Sequence, residues 1–160
     1  MAVVYVSIGS NIDREKNIKG CLQSLAQTFG GLTLSPIYES EAVGFDGDNF
    51  YNLVAKFDTD LSVGELNQAL KEIEDEYGRD RSGPRFSGRT LDIDILTYDD
   101  LVGTFDGVEL PRDEITKNAF VLLPMVDLAP DEKHPELDVT YARLWFFYDK
   151  EKQNLWQVEL

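Results

Sequence analysis

Cysteine and histidine are almost absent from this 160-residue chain, which has one of each. A lone cysteine, Cys21, excludes an intramolecular disulfide and favours a reducing compartment. His134, in a polar loop, is given no role. The N-terminus carries no basic segment and no long apolar run, so neither a signal peptide nor a membrane span is predicted. We therefore expect a cytoplasmic protein.

Basic residues are also scarce. Fifteen lysines and arginines stand against 30 aspartates and glutamates, which leaves a formal net charge of −15. Phosphate backbones and anionic membranes repel such a chain except at a local basic island. Nucleic acids and membranes are therefore not expected as partners, whereas a small molecule is. The pattern G-x-G-x-x-G is missing as well, so no dinucleotide-binding fold is indicated.

The spacing of apolar residues predicts a domain of strands and helices. At 160 residues and 42% hydrophobic composition, the chain suffices for one domain, residues 1–160, with a substantial core. Of two predicted amphipathic helices, the first has Asp13 as its expected cap, and Ser62 and Glu65 form a capping box at the second. A third helix is expected over residues 118–127. Strands are expected over residues 3–9, 32–38, 50–57, 90–96, 144–148 and 155–158, with a hairpin at 101–110.

The most informative stretch joins the second of these helices to the strand over residues 90–96. It holds four of the chain's seven arginines, namely Arg79, Arg81, Arg85 and Arg89. In a chain this acidic, a local excess of arginine runs against the general trend. Glycine and proline in the same loop allow guanidinium groups to gather around phosphate oxygens. A phosphate-binding loop is therefore expected here.

Asp92 and Asp94 follow directly and alternate with apolar residues. On a strand the two carboxylates project from one face at a spacing of about 6.5–7 Å. Such a pair repels unless it lies in water or binds a divalent cation, and hard oxygen ligands favour magnesium. The alternative is a solvated strand face beside a surface arginine patch, since exposed ion pairs are common and weak. Because the two features are adjacent, we favour a site for polyphosphate chemistry.

Six segments carry a resemblance to a known family. They are Ile8-Gly9-Ser10-Asn11, the stretch from Tyr38 to Gly44, Phe50-Tyr51-Asn52, Glu74 with Gly78-Arg79-x-Arg81, Arg89-Thr90-Leu91-Asp92-Ile93-Asp94, and Phe120-Val121-Leu122 with Ala129-Pro130. In order and spacing they resemble the 6-hydroxymethyl-7,8-dihydropterin pyrophosphokinases of folate biosynthesis, over roughly residues 3–130. The resemblance implies an α+β fold with a ferredoxin-like core, a mostly antiparallel central sheet and helices packed on its faces.

The resemblance also implies a reaction. Pyrophosphate would pass from ATP to the hydroxymethyl group of a reduced pterin, and AMP would be released. Asp92 and Asp94 would hold two Mg²⁺ ions that bridge the triphosphate. Arg79 and Arg89 would stabilise the phosphates as charge moves to the leaving AMP. The expected ATP contacts are Glu74, Arg81, Arg85, Arg89 and Arg112.

The implied pterin site combines aromatic faces with one directional amide. The ring would stack between Phe50 and Phe120, while Asn52 would bond its polar edge. Backbone groups of Ser40 and Val43 would complete the pocket, and Phe86 is expected to contact the substrate as well. Phe50 and Phe120 could equally be core aromatics. A monomer that binds small molecules is the expected state.

Departures from the family pattern lie mostly on the nucleotide side. Phe86 stands where the family usually has tryptophan, Ser87-Gly88 where it has Gly-Pro, Arg112 where it has histidine, and Asn118 where it has arginine. One hypothesis is a working pyrophosphokinase in which Arg112 replaces the histidine as a phosphate ligand. The other is a pterin- or nucleotide-binding protein with weak or no transfer. The retained aspartates and arginines favour the enzyme, and a phosphotransferase acting on another flat heterocycle is a third reading.

Overall fold

The computed structural model describes residues 1–41, 48–78, 91–151 and 153–160. Its strands are β1 Ala2–Ser10, β2 Thr33–Leu34, β3 Ile37–Ser40, β4 Phe50–Thr59, β5 Asp92–Tyr98, β6 Gly103–Phe105, β7 Val108–Leu110 and β8 Leu155–Val158. Its helices are α1 Arg14–Phe29, α2 Val63–Glu76, α3 Glu114–Lys117, α4 Ala119–Leu128 and α5 Tyr141–Phe147. Among these helices, none has the length and apolar character needed to cross a bilayer.

The central sheet has the strand order β5-β1-β4-β3-β8, and the short β2 also pairs with β4. The pairings between these described strands are all antiparallel. Each of the two long helices, α1 and α2, connects strands that lie on either side of a third strand, which is the ferredoxin-like arrangement. The predicted hairpin at 101–110 is present as β6 and β7. The α+β fold predicted from the sequence is confirmed.

One face of the sheet is covered by α1 and α2. The capping box of α2 is formed as predicted, because Ser62 Oγ accepts from Glu65 N at 3.2 Å and Glu65 Oε1 accepts from Ser62 N at 3.0 Å. Leu66 and Leu70, one turn apart, then reach the core, and Cys21 on α1 lies fully buried beside them. This packing lays the last turns of α2 along the edge strand β5.

The opposite face is covered by α4 over only part of its area. Val121, Leu122 and Met125 of this helix pack with Tyr5 and Val54 of the sheet in a second core cluster. Tyr38 of β3 also donates a hydrogen bond to Asp127 of α4, which ties the helix to the sheet. Beyond this apolar cluster, toward the C-terminal end of β1, the same face carries polar residues.

The C-terminal region differs from its sequence prediction in one element. Residues 144–148 were predicted as a strand, but they belong to α5 and its C-terminal end. Thr140 caps this helix by accepting from Arg143 N at 3.2 Å. Leu144 and Trp145 pack against the second core cluster while Phe146 and Phe147 are exposed, so the apolar contacts follow the helical period. The predicted strand at 155–158 is confirmed as β8, at the sheet edge beside β3.

Two details near the N-terminus also differ. Asp13 occupies the position before α1 with φ 44°, and its side chain makes no capping hydrogen bond. The single strand predicted over residues 32–38 is instead two strands separated by Ser35 and Pro36. Proline cannot donate to the ladder, and Ser35 takes over part of the pairing by exchanging hydrogen bonds of 2.9 Å with Val54.

Candidate active site

One row of paired residues crosses three strands of the sheet. Asn52 of β4 pairs with Gly9 of β1, and Gly9 pairs on its other side with Asp92 of β5. Directly paired residues point to the same face of a sheet, and so does a residue two positions further along a strand. Asn52, Asp92 and Asp94 therefore share the face that α4 partly covers. Two strand spacings separate Asn52 from Asp92, roughly 10 Å between backbones.

The two aspartates stand at the beginning of β5, where the predicted alternation is confirmed. Ile93 and Ile95 point into the core, while Asp92 and Asp94 are only partly buried. Burial, followed by the charge of Asp92, raises the pKa of Asp94 to about 7, although Arg112 and Lys71 act in the opposite direction. The site therefore concentrates negative charge where water is partly excluded.

Among the described residues, two cations flank Asp94, one at each carboxylate oxygen. Lys71 Nζ lies 3.7 Å from Oδ1, and Arg112 Nη2 lies 3.7 Å from Oδ2. Arg112 is held by its backbone, which donates to Leu96 O at 2.9 Å, and by Glu114, whose Oε1 lies 2.7 Å from Nη2. Its Nε is buried and has no hydrogen-bond partner in the described part of the chain. Arg112, predicted as an ATP ligand, is thus placed next to the aspartates.

Glu74 lies beneath the aspartates and is fully buried. Its Oε2 accepts from the backbone N–H of Ile93 at 2.7 Å and lies 3.3 Å from Lys71 Nζ. Ile93 is the residue between the two aspartates, so Glu74 fixes the peptide from which they project. The sequence prediction counted Glu74 among the ATP ligands. In the structure its carboxylate supports the peptide between Asp92 and Asp94, and its predicted contact with ATP stays a prediction.

Three of the residues predicted for the pterin, Ser40, Phe50 and Asn52, also lie on this face. Asn52 Nδ2 donates to Ser40 Oγ at 3.2 Å, and both side chains are buried. A Cβ added at Gly9 would lie 2.7 Å from Asn52 Oδ1 and 3.8 Å from the ring of Phe50. Glycine at position 9 therefore lets the Asn52 amide lie close against β1, beside the ring of Phe50.

Phe120 is held at the beginning of α4 by the C-terminal region. Gln153 accepts from Ala119 N at 2.8 Å and donates to Asn118 Oδ1 at 3.0 Å, so one side chain caps the helix and orients Asn118. Phe120 follows and packs against the second core cluster, half-buried. The contact with Gln153 gives Asn118 a structural role at the position where the family pattern has arginine.

Six predicted site residues lie outside the described part of the chain. They are Val43, Arg79, Arg81, Arg85, Phe86 and Arg89. Their roles stay predictions.

Comparison with known protein families shows to which family this chain belongs. A family model described as 7,8-dihydro-6-hydroxymethylpterin-pyrophosphokinase (HPPK) matches residues 5–130. The chain belongs to the HPPK family. A 2-amino-4-hydroxy-6-hydroxymethyldihydropteridine pyrophosphokinase from Aquifex aeolicus is 35% identical over 137 residues, which cover 84% of this chain and 85% of that protein. One of the same description from Pseudomonas aeruginosa is 36% identical over 137 residues, with 83% and 84% covered.

Longer relatives contain an HPPK-like part within a larger chain. The Dictyostelium discoideum folic acid synthesis protein FOL1 is 36% identical over 147 residues, and the match covers 89% of this chain but 22% of that protein. A crystal structure of Plasmodium falciparum HPPK-DHPS has a similar fold, with a TM-score of 0.71 at 14% identity, covering 91% of this chain and 42% of that one. This chain thus spans less than half of these larger relatives and most of the bacterial ones.

The family implies magnesium, and the side chains present fit that ion. Among the described residues, no group of three potential metal ligands occurs. Asp92 and Asp94 supply two carboxylates that project from the same face of β5. Mg²⁺ is commonly held by one or two carboxylates, with substrate phosphates and water completing its shell. A pair of aspartates beside two cations matches that donor set, because the cations can face the phosphates that arrive with the metal.

Two residues of this HPPK site were not singled out in the sequence prediction. Gly9 interrupts a strand that otherwise carries side chains into the core, and glycine at such a place often marks a close approach by another group. Lys71 precedes Glu74 by three residues, so the two lie on one side of α2. The glycine could have been found from the strand pattern, whereas the contact of Lys71 with Asp94 depends on how α2 meets β5.

Proposed function

We propose that this chain transfers pyrophosphate from ATP to the hydroxymethyl group of 6-hydroxymethyl-7,8-dihydropterin and releases AMP. Membership of the HPPK family supports this reaction. The observation that carries the proposal is the row Asn52–Gly9–Asp92, because the amide proposed for the pterin and the carboxylates proposed for magnesium share one sheet face. A separation of about 10 Å leaves room for the pterin ring and its hydroxymethyl arm between them.

On the nucleotide side, Asp92 and Asp94 would hold two Mg²⁺ ions, which would neutralise charge on the triphosphate during in-line displacement at the β-phosphorus. The chain itself would supply the surrounding positive charge. Arg112 lies 3.7 Å from Asp94, where its guanidinium can contact a phosphate oxygen in place of the family's histidine. Arg79 and Arg89 are proposed to stabilise the phosphates as the bond to AMP breaks, with Arg81 and Arg85 binding the nucleotide.

On the pterin side, Asn52 would bond the polar edge of the ring. Its amide is oriented by Ser40, so it need not reorganise when the substrate binds. Phe50 and Phe120 would cover the two faces of the ring, and Val43 and Phe86 would contribute further contacts. Gly9 permits this position of the amide, because a Cβ there would lie 2.7 Å from Asn52 Oδ1.

Replacing Gly9 by alanine should selectively weaken pterin binding. The new Cβ would lie 2.7 Å from Asn52 Oδ1, so the amide must move from the position that Ser40 gives it. One displaced hydrogen bond corresponds to about 1.4 kcal/mol, or roughly a tenfold higher dissociation constant for the pterin. Calorimetric titration with 6-hydroxymethyl-7,8-dihydropterin would measure this change, and the affinity for ATP with magnesium should stay as in the wild type.

Gly31→Ala is the matched control for this substitution, because a Cβ at Gly31 meets nothing within 4 Å. It should leave pterin affinity unchanged. Equal pterin affinity in wild type, Gly9→Ala and Gly31→Ala would rule out a pterin held by the Asn52 amide beside Gly9.

The direct test of the proposed activity is pterin-dependent release of AMP. Purified protein is incubated with ATP, magnesium and 6-hydroxymethyl-7,8-dihydropterin, and Asp92→Ala is assayed in parallel. We expect AMP from the wild type and none above background from the variant. Pterin binding without AMP release by the wild type would favour the alternative of a binding protein that keeps the fold without transfer.

We propose that residues 1–160 act as one domain, that the enzyme is a monomer, and that it works in the cytoplasm on small-molecule substrates. The single cysteine is buried and unpaired, which suits a reducing compartment.

A further inference from the structure

Lys71 and Glu74 of α2 together hold the edge of β5 at one residue. Glu74 Oε2 accepts from Ile93 N at 2.7 Å, and Lys71 Nζ donates to Ile93 O at 3.3 Å. Both backbone polar groups of Ile93 are therefore bound by side chains of the helix rather than by another strand. Because Ile93 lies between Asp92 and Asp94, this clamp sets the orientation of both carboxylates.

The same ammonium group also faces the carboxylate of Asp94. Lys71 Nζ lies 3.7 Å from Asp94 Oδ1 and 3.3 Å from Glu74 Oε2. Its side chain is 32% exposed, whereas that of Glu74 is fully buried. Lys71 is thus anchored by Glu74 and Ile93, and its charge is kept beside Asp94 at a distance too long for a direct hydrogen bond.

We propose that Lys71 is a positioning residue that acts, together with Arg112, as a resident counter-cation of Asp94, so that the site takes up Mg²⁺ together with a triphosphate rather than alone. This inference rests on the proposed function, since it concerns the same metal and nucleotide. Its basis is the geometry of the clamp and the two charges 3.7 Å apart.

The fixed charge of Lys71 has opposite effects on the two ligands. It repels a free divalent cation that approaches Asp94, and so lowers the affinity for the metal alone. A triphosphate with one bound Mg²⁺ keeps a net negative charge, so the same ammonium attracts it. Removing the charge should therefore strengthen the binding of Mg²⁺ alone and weaken the binding of the nucleotide complex.

The test is a pair of binding titrations on the full chain. Lys71→Met retains most of the aliphatic stem and removes the charge. Calorimetric titration should show that the dissociation constant for Mg²⁺ falls about tenfold, while that for Mg²⁺ with a non-hydrolysable ATP analogue rises about tenfold. Changes of this size are expected for a unit charge a few ångströms away in a partly solvated site. Lys71→Arg retains the charge and should restore both constants toward wild type.

Two further variants separate charge from folding. Lys71→Gln removes the charge but keeps a neutral hydrogen-bond donor, so it serves as the test if Lys71→Met folds poorly. It should lower the dissociation constant for Mg²⁺ and raise that for Mg²⁺ with the ATP analogue. Lys19→Met removes an exposed lysine that pairs with Glu15 on α1, and it should change neither constant. Loss of affinity for both ligands, or no change in either, would overturn the role of Lys71.

These titrations need neither pterin nor turnover. If wild type forms AMP but Lys71→Met shows no opposite shifts, the inference fails while the proposed function stands. If the opposite shifts occur and no AMP is formed, Lys71 keeps its role in a site that binds the nucleotide without transferring pyrophosphate.

Discussion

Replacing Asp94 by asparagine should lower kcat/KM for AMP formation by about a thousandfold. The substitution keeps the shape of the side chain and removes a charge that would hold magnesium against the triphosphate. Loss of several kcal/mol of transition-state stabilisation corresponds to such a factor. Steady-state kinetics over a range of magnesium concentrations would measure it, and excess magnesium should not restore the rate.

Stability should not fall in the Asp94→Asn variant. Burial and the charge of Asp92 raise the pKa of Asp94 to about 7, which means that the folded chain disfavours its ionised form. Lys71 and Arg112 keep their closer partners, Glu74 at 3.3 Å and Glu114 at 2.7 Å. The melting temperature at pH 8 should therefore equal or exceed that of the wild type.

Asp58→Asn is the control for Asp94→Asn, because Asp58 is an exposed aspartate of β4 that pairs with Val3, away from Asp94. It should change neither rate nor melting temperature. A wild-type rate in Asp94→Asn would remove Asp94 from the metal site, and a large loss of stability would mean that its carboxylate serves the fold.

Replacing Glu74 by alanine should destabilise the protein by about 3–5 kcal/mol, the usual cost of removing one partner of a buried ion pair. The variant would leave Ile93 N–H without its acceptor and Lys71 without the carboxylate 3.3 Å away. For a chain of this length the melting temperature should fall by roughly 10 °C. Thermal or urea denaturation followed by circular dichroism would measure the change.

Two variants of α2 show whether the charge or the acceptor of Glu74 matters. Glu74→Gln retains an acceptor for Ile93 N–H, so its loss should be smaller, about 1–2 kcal/mol. Glu72→Ala removes an exposed glutamate two residues away and should be nearly neutral. If Glu74→Ala were as stable as Glu72→Ala, the clamp on Ile93 would contribute nothing to the fold.

Periodic patterns predicted the parts of this structure that depend on local geometry. Alternation placed Asp92 and Asp94 on one face of a strand, and the capping box with the spacing of Leu66 and Leu70 placed α2. The resemblance to the family assigned Asn52 to the pterin and the aspartates to magnesium, which periodicity alone could not give. The sheet register then showed that Gly9 separates them.

Features that depend on how distant elements meet were not predictable in this way. That Glu74 is buried against Ile93 follows from the packing of α2 on an edge strand, and nothing in the local sequence distinguishes it from an exposed glutamate. The aromatic run Leu144 to Tyr148 has high strand propensity, but the cap at Thr140 and the core behind the helix override it. The hydrogen bond from Gln153 to Asn118 joins residues 35 positions apart, so local sequence could not predict it either.

The departures from the family pattern on the nucleotide side differ in whether they keep positive charge near Asp94. Arg112, in place of histidine, keeps a cation 3.7 Å from Asp94. Asn118, in place of arginine, is engaged with Gln153 and cannot supply a positive charge. Lys71 adds a second cation beside Asp94. Positive charge around the aspartates is therefore retained, although it comes partly from a different element of the fold.

The most direct test of the central claim is the identity of the products formed from ATP and 6-hydroxymethyl-7,8-dihydropterin. Phosphorus NMR and mass spectrometry of the reaction mixture would measure them together. The account predicts AMP and a pterin diphosphate in equal amounts. ADP with a pterin monophosphate, or nucleotide turnover that is indifferent to the pterin, would contradict pyrophosphoryl transfer at this site.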